Sequence, residues 1–206
     1  MTEERKSRRR HQQWAATAGA FCLLTVVSGC GETNQDRVEI SRHTKELGKT
    51  VIANPGSKQG DAALSELISI LNGNWRFASC KACDALGDLG PSGAPAVPDL
   101  IRAAKRQEPF VSAAAVGALA QLGPTAVPAL ELLTEIVEVA VDNDYSDSRS
   151  LFAVDALGNI GRPALNTAPL LERGCKPNDS SIAYHCKQSL EKLSNVEKEC
   201  QRDANK

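Results

Sequence analysis

One hexapeptide pattern constrains this chain more than anything else in it. Ala85-Leu86-Gly87-Asp88-Leu89-Gly90 returns as Ala118-Leu119-Ala120-Gln121-Leu122-Gly123 and again as Ala156-Leu157-Gly158-Asn159-Ile160-Gly161. Ser189-Leu190-Glu191-Lys192-Leu193-Ser194 is a worn fourth copy. The copies are spaced 33, 38 and 33 residues apart. A fixed period of this size marks stacked supersecondary units. Before each copy, apolar residues recur in steps of four and three: Ala82, Leu86, Leu89; Ala115, Leu119, Leu122; Ala153, Leu157, Ile160. Such steps keep one helical face apolar. The glycine that closes each of the first three copies tolerates positive φ and stops the helix. A proline-containing turn then leads into a second helix, carrying Val97, Leu100, Ile101 and Ala104, or Val127, Leu130, Leu133 and Val137. Proline suits a first helical turn, where no amide donor is needed. One such pair cannot bury its own apolar face, whereas stacked pairs share a core. Aromatic residues are only 4% of the chain, against 42% hydrophobic in all, which disfavours a β-sandwich.

These residues resemble HEAT-type repeats, in the short Ala-Leu-Gly variety found in bacterial proteins and in the phycobilin lyases. The resemblance covers residues 76–194. It implies an all-α fold: a right-handed α-solenoid of antiparallel helix pairs with about three to four repeats. Residues 37–75 carry Leu64, Leu67, Ile68 and Leu71 on one helical face and read as N-terminal capping helices. Residues 195–206 read as a helix end with a polar tail.

The first thirty residues read as an address. Arg5, Lys6, Arg8, Arg9 and Arg10 precede an uncharged apolar run from Ala15 to Gly29, as in an export signal. The run is shorter than the roughly 20 residues a membrane-spanning helix needs. It ends Val27-Ser28-Gly29-Cys30, which resembles the lipobox of bacterial lipoproteins. The resemblance implies a signal peptide over 1–29, cleavage between Gly29 and Cys30, acylation of Cys30 and a tether over 30–36. Several acyl chains on one residue anchor a protein firmly. Gly31 in place of Asp implies sorting to an outer membrane where the cell has one. The expected location is thus the periplasmic side of a membrane, with the lipid on Cys30 as the membrane contact.

Removing residues 1–29 takes five basic and two acidic residues from totals of 24 and 25, leaving 19 and 23. A mature domain near −4 has no electrostatic reason to seek nucleic acid. Beyond Cys22 and Cys30, the thiols are Cys80, Cys83, Cys175, Cys186 and Cys200. Cys80 and Cys83 form a C-x-x-C, yet Cys83 falls in the repeat column of Val116 and Val154, and Cys186 in that of Ala82, Ala115 and Ala153. Both columns call for small apolar residues, and a free cysteine packs like one. A zinc site joining Cys80 and Cys83 to Cys175 or Cys186 would have to bridge roughly 20 Å across packed helices, so no metal is expected. Export to an oxidising compartment makes a Cys175–Cys186 disulfide a candidate. The loop around Asp142, Asp144 and Ser146 lacks the glycine and terminal glutamate of a calcium loop and reads as a solvated acidic loop.

No nucleophile elbow, zinc-protease or phosphate-loop motif is present. The mature histidines His43 and His185 stand in no catalytic motif, and adjacent helical residues such as His185 and Cys186 point about 100° apart. Neither catalysis nor a cofactor is expected. What remains is surface. If the second helices line the concave face, they present Arg102, Lys105 and Arg106 in one unit and Glu131, Glu135 and Glu138 in the next. These are the candidate protein-binding residues, and Trp75 is either core or anchor. The expected function is a lipid-anchored, non-catalytic scaffold that binds another envelope protein. Two alternatives stay open: a self-associating structural module, and a lyase-like accessory protein that binds a small molecule.

Overall fold

The computed structural model describes residues 33–143, 145–175 and 181–204. By its contacts the chain divides into a unit of residues 1–37, of which only 33–37 are described, and a unit of residues 38–206. In the first unit Thr33 and Asp36 cap each other reciprocally. The Thr33 amide donates to Asp36 Oδ2 at 3.0 Å, and the Asp36 amide donates to Thr33 Oγ1 at 3.2 Å. Helix α1 (Asn34–Ala53) starts on this cap, inside the stretch expected as a tether.

The described residues are all-α. Helix α2 (Lys58–Leu71) begins at Ser57, whose Oγ accepts from the Gly60 amide. It is followed by α3 (Arg76–Gly87), α4 (Val97–Ala104), α5 (Pro109–Leu122), α6 (Leu130–Asp142), α7 (Ser148–Ile160), α8 (Ala168–Gly174) and α9 (Ser181–Ala204). No strand occurs among the described residues. Helix α7 opens on a capping box in which Asp147 and Ser150 satisfy each other's backbone amides, a device that holds a helix start by filling two orphan donors. The repeat glycines behave as their sequence positions require: Gly90, Gly123 and Gly161 have φ of 53°, 56° and 76°. Between each first and second helix the chain winds a 3-10 segment, at Gly90–Ala96, Gly123–Ala129 and Arg162–Thr167. The sequence pattern did not separate these from the helices they introduce. Val127 therefore lies in a 3-10 turn, 38% exposed, rather than on a buried helical face.

The packing follows the repeat. Helices α3, α5, α7 and α9 stand side by side in one layer, each directly against the next. The pairing is offset from the sequence register. Helix α4 packs on α5, α6 on α7 and α8 on α9, so each second helix closes against the first helix of the following unit. Helix α2 packs on α3 in the same way. The three repeat columns form the core. Ala82, Ala115 and Ala153, and likewise Leu86, Leu119 and Leu157, are wholly buried, joined by Leu100, Leu133 and Leu171 from the second helices. Cys83 and Cys186 are buried in the columns where the alignment placed them. Burying a leucine side chain fully contributes about 1.5–3 kcal/mol, and these columns supply that term at regular intervals. The stretch Pro109–Asp142 is long and apolar enough to cross a membrane. It is broken by the 3-10 turn at Gly123 and contributes Leu119, Leu122 and Leu133 to this core.

Candidate interaction surface

The charged residues expected to bind a partner stand on the second-helix layer. Arg102 and Lys105 are exposed at the end of α4, and Arg106 is half-buried just beyond it. They are not equally available. Arg102 Nη1 donates to Asp99 Oδ1 at 2.7 Å and to Asn72 Oδ1 at 3.3 Å, and Asn72 also holds Asp99. Arg106 reaches the Gly73 carbonyl. Glu131, Glu135 and Glu138 form one exposed stripe on α6. No ion pair joins the basic and acidic sets among the described residues. Cys30 and the Gly29–Cys30 bond lie outside the described residues, as does Asp144 of the acidic loop. The flanking acids of that loop have structural partners: Asp142 pairs with Arg173 across to α8, and Asp147 caps α7.

A second surface was missed. Across α3, α5, α7 and α9 runs a groove with a cavity of about 350 Å³. It is built from repeat columns one helical turn apart. One holds Asp84, Gly117, Asp155 and Gln188, and the next Gln121, Asn159 and Lys192. Polar contacts run from helix to helix along it. His185 Nδ1 lies 2.8 Å from Asp155 Oδ1, Lys192 Nζ donates to Asn159 Oδ1 at 2.8 Å, and Asn159 Nδ2 donates to the Ala120 carbonyl at 2.9 Å. Asp155 and His185 keep about a quarter of their side-chain surface open to solvent. Phe152 lies over Gly117, where a Cβ would come within 3.4 Å of the ring.

Small residues in the same helices set the spacing of this groove. A Cβ on Gly87 would lie 3.0 Å from the Ala118 Cα, and one on Gly158 would lie 2.9 Å from the Ser189 Cα. The helices are therefore as close as bare backbones permit. The sequence did carry a sign of the groove. In the unit alignment, positions 84, 155 and 188, and 121, 159 and 192, are polar and fall in two columns one helical turn apart.

Cys83 and Cys186 lie in the core, and Cys80 and Cys175 pack against it. Burial pushes the Cys83 and Cys186 thiols up to about 12, and it also raises those of Cys80 and Cys175. Thiolate, the reactive form, is thereby suppressed. Cys175 and Cys186 are free thiols here, close enough for charge on Cys175 to act on Cys186. Cys186 Sγ also packs against Gly174 beside Cys175. No group of three or more His, Cys, Asp or Glu that could hold a metal ion occurs among the described residues. Trp75 is half-buried at the start of α3, with its ring 6.4 Å from that of Phe77.

No family model and no curated protein sequence matches the chain. Among solved structures, the crystal structure of an engineered protein is similar at 18% sequence identity and a TM-score of 0.43, over 80% of this chain and 94% of that one.

Proposed function

We propose that the chain is a lipid-anchored, non-catalytic protein-binding scaffold of a bacterial cell envelope, built as a right-handed HEAT-like solenoid of three to four repeats. The helix pairing of α4 with α5, α6 with α7 and α8 with α9 supports the stacked-pair reading. The lipobox-like Val27-Ser28-Gly29-Cys30 supports export and acylation at Cys30, on the outer membrane where one exists. The observation that carries the binding reading is the groove across the first helices. It spans neighbouring units and is lined by carboxylate, carboxamide, imidazole and amine groups beside Phe152 and small residues. Repeat arrays bind along such extended surfaces. The first helices touch one another directly and the second helices scarcely do, so the first-helix layer is the inner side of the stack in this reading. Arg102, Lys105 and Arg106, with Glu131, Glu135 and Glu138, then form the outer charged rim.

The test uses the full chain expressed in a bacterium with crosslinking in the intact envelope. Acylation is read by labelling with a fatty-acid analogue, and Cys30→Ser must abolish it. A partner captured by the wild type should be lost with Asp155→Lys/Gln188→Glu in the groove. It should be retained with Arg102 and Lys105 reversed to Glu. Loss with the second set only would move the site to the outer rim. Capture that survives both sets would refute a surface-directed scaffold.

A further inference from the structure

A second cavity, of about 540 Å³, lies where the turn before α3 faces the turn before α5. It is independent of the groove and of the acylation reading. Its walls include Asn74 and Arg76 on one side, and Arg106, Gln107 and Glu108 on the other. Two guanidiniums and two carboxamides thus share one space with a single carboxylate. Neither arginine is paired with a carboxylate among the described residues. Arg106 Nη1 donates only to the Gly73 carbonyl, at a long 3.4 Å, and Arg76 stacks over the Phe110 ring with its Cζ 5.0 Å from the centroid. A guanidinium has five donors, so most of these remain for a ligand. The backbone adds to the same sign. Trp75 and Glu108 begin helices of 12 and 14 residues, and neither provides a side-chain cap. Arg76 and Val111, in the first turns of these two helices, line the cavity, and helix N-termini favour negative charge.

We infer that this cavity binds the carboxylate of an acidic segment of another protein, with an apolar side chain of that segment resting on Phe110. The carboxylate follows from the two arginines that line one cavity, since a guanidinium matches a carboxylate through two parallel N–H donors. The apolar neighbour follows from the ring. Phe110 is 65% exposed and lies under the guanidinium of Arg76, next in sequence to the buried Val111 of the wall. Phenylalanine and arginine are both enriched at protein interfaces relative to the rest of the surface. A free inorganic anion would use the charge and leave the ring uncovered. Glu108 is the one wall residue of the wrong sign and sets the strength of the site.

The probe is a fluorescent blocked peptide, acetyl-Glu-Leu-Asp-Phe-Glu-amide, titrated by anisotropy against the full-length chain in mild detergent. The control peptide has Gln and Asn for its acids. Arg76→Gln/Arg106→Gln should weaken the acidic peptide at least tenfold, because hydrogen bonds to charged groups are the strong ones. Phe110→Ala should weaken it severalfold. Glu108→Gln should tighten it severalfold, a gain that misfolding cannot imitate. Equal binding of the neutral peptide, or no effect of the double arginine variant, would overturn the assignment. Competition by phosphate or citrate at the peptide's own half-saturating concentration would also overturn it, in favour of a small-anion site. Titration of unlabelled chain against labelled chain reads self-association at the same cavity. A second copy displacing the peptide would overturn the assignment to another protein.

Discussion

Gly158→Ala is the sharpest test of how the first helices are packed. In an exposed helix the change would stabilise by about 0.5–1 kcal/mol, because alanine loses less backbone entropy. Here the added methyl meets α9. Its ideal position is 2.7 Å from Ser189 Oγ, 2.8 Å from Ser189 Cβ and 2.9 Å from Ser189 Cα. Oγ cannot swing away without cost, since it donates to the Val154 carbonyl at 2.9 Å in a buried setting. The Cα is backbone, so α7 and α9 must separate. Overpacking of this kind costs about 1–3 kcal/mol, and loss of the buried hydrogen bond would add about 1–3 kcal/mol more. We expect a net loss of about 1–2 kcal/mol after partial relaxation. For a chain of this size that lowers Tm by about 2–8 °C.

The internal control is Gly117→Ala. Its nearest neighbour is the partly exposed Phe152 ring at 3.4 Å, which can tilt outward. That variant should hold or gain stability, by up to about 1 kcal/mol. Gly87→Ala should fall between, since the atom nearest its Cβ is the flexible Gln121 carboxamide and the Ala118 Cα follows at 3.0 Å. Urea and thermal melts followed by circular dichroism on the full-length chain read all three. A Gly158→Ala melt at or above wild type would refute the close approach of α7 and α9. Ser189→Gly should offset part of the Gly158→Ala loss in a double-mutant cycle.

Three further outcomes are expected. Gly161→Ala places a side chain at φ 76°, ψ −129°, a region that costs non-glycine residues about 1–3 kcal/mol, and the same melts should register it. Glu66 accepts from His43 Nε2 at 2.8 Å, and this bond holds its carboxyl below the ordinary 4.5. Because the folded value is depressed, its stabilisation is full above about pH 4.5 and is lost as pH falls through the folded value. Glu66→Gln should flatten that part of the acid limb, and an unchanged limb would remove Glu66 from the account. At pH 8 a thiol reagent should modify the half-buried Cys80, Cys175 and Cys200 well before the buried Cys83 and Cys186, and peptide mapping of the labelled chain checks the order.

The repeat made the core legible because burial acts column by column. Ala82, Ala115 and Ala153 share a spacing and a fate, and Cys83 could be assigned to packing because Val116 and Val154 occupy its column. The pairing register was not legible. Apolar faces on α3, α4 and α5 are satisfied equally if α4 closes back on α3 or forward on α5, so periodicity cannot choose between them. The choice rests on the 3-10 segments, whose turns redirect the chain after Gly90, Gly123 and Gly161. Pro-rich turns announce a change of direction without giving its angle. The expected basic face was legible only as charge. That Arg102 is held by Asn72, thirty residues earlier, depends on which turn meets which in space.

The groove and the packing of the first helices are one property. Gly87, Gly158 and the alanines between them let the helix backbones approach closely, and close approach brings side chains in adjacent columns within hydrogen-bonding reach. Asn159 can reach the Ala120 carbonyl, and His185 can reach Asp155, only because α5, α7 and α9 stand this near one another. A polar ladder on widely spaced helices would be hydrated residue by residue. On these it is partly desolvated and ordered before any ligand arrives, which lowers the side-chain entropy lost on binding. Spreading α7 from α9 therefore has two consequences from one cause. Gly158→Ala should weaken both the fold and any partner bound across Asp155 and His185. Gly117→Ala leaves that spacing unchanged and should weaken neither. If the two effects separate, with stability lost and groove binding kept, the ladder is not set by backbone approach and its order must come from the side chains themselves.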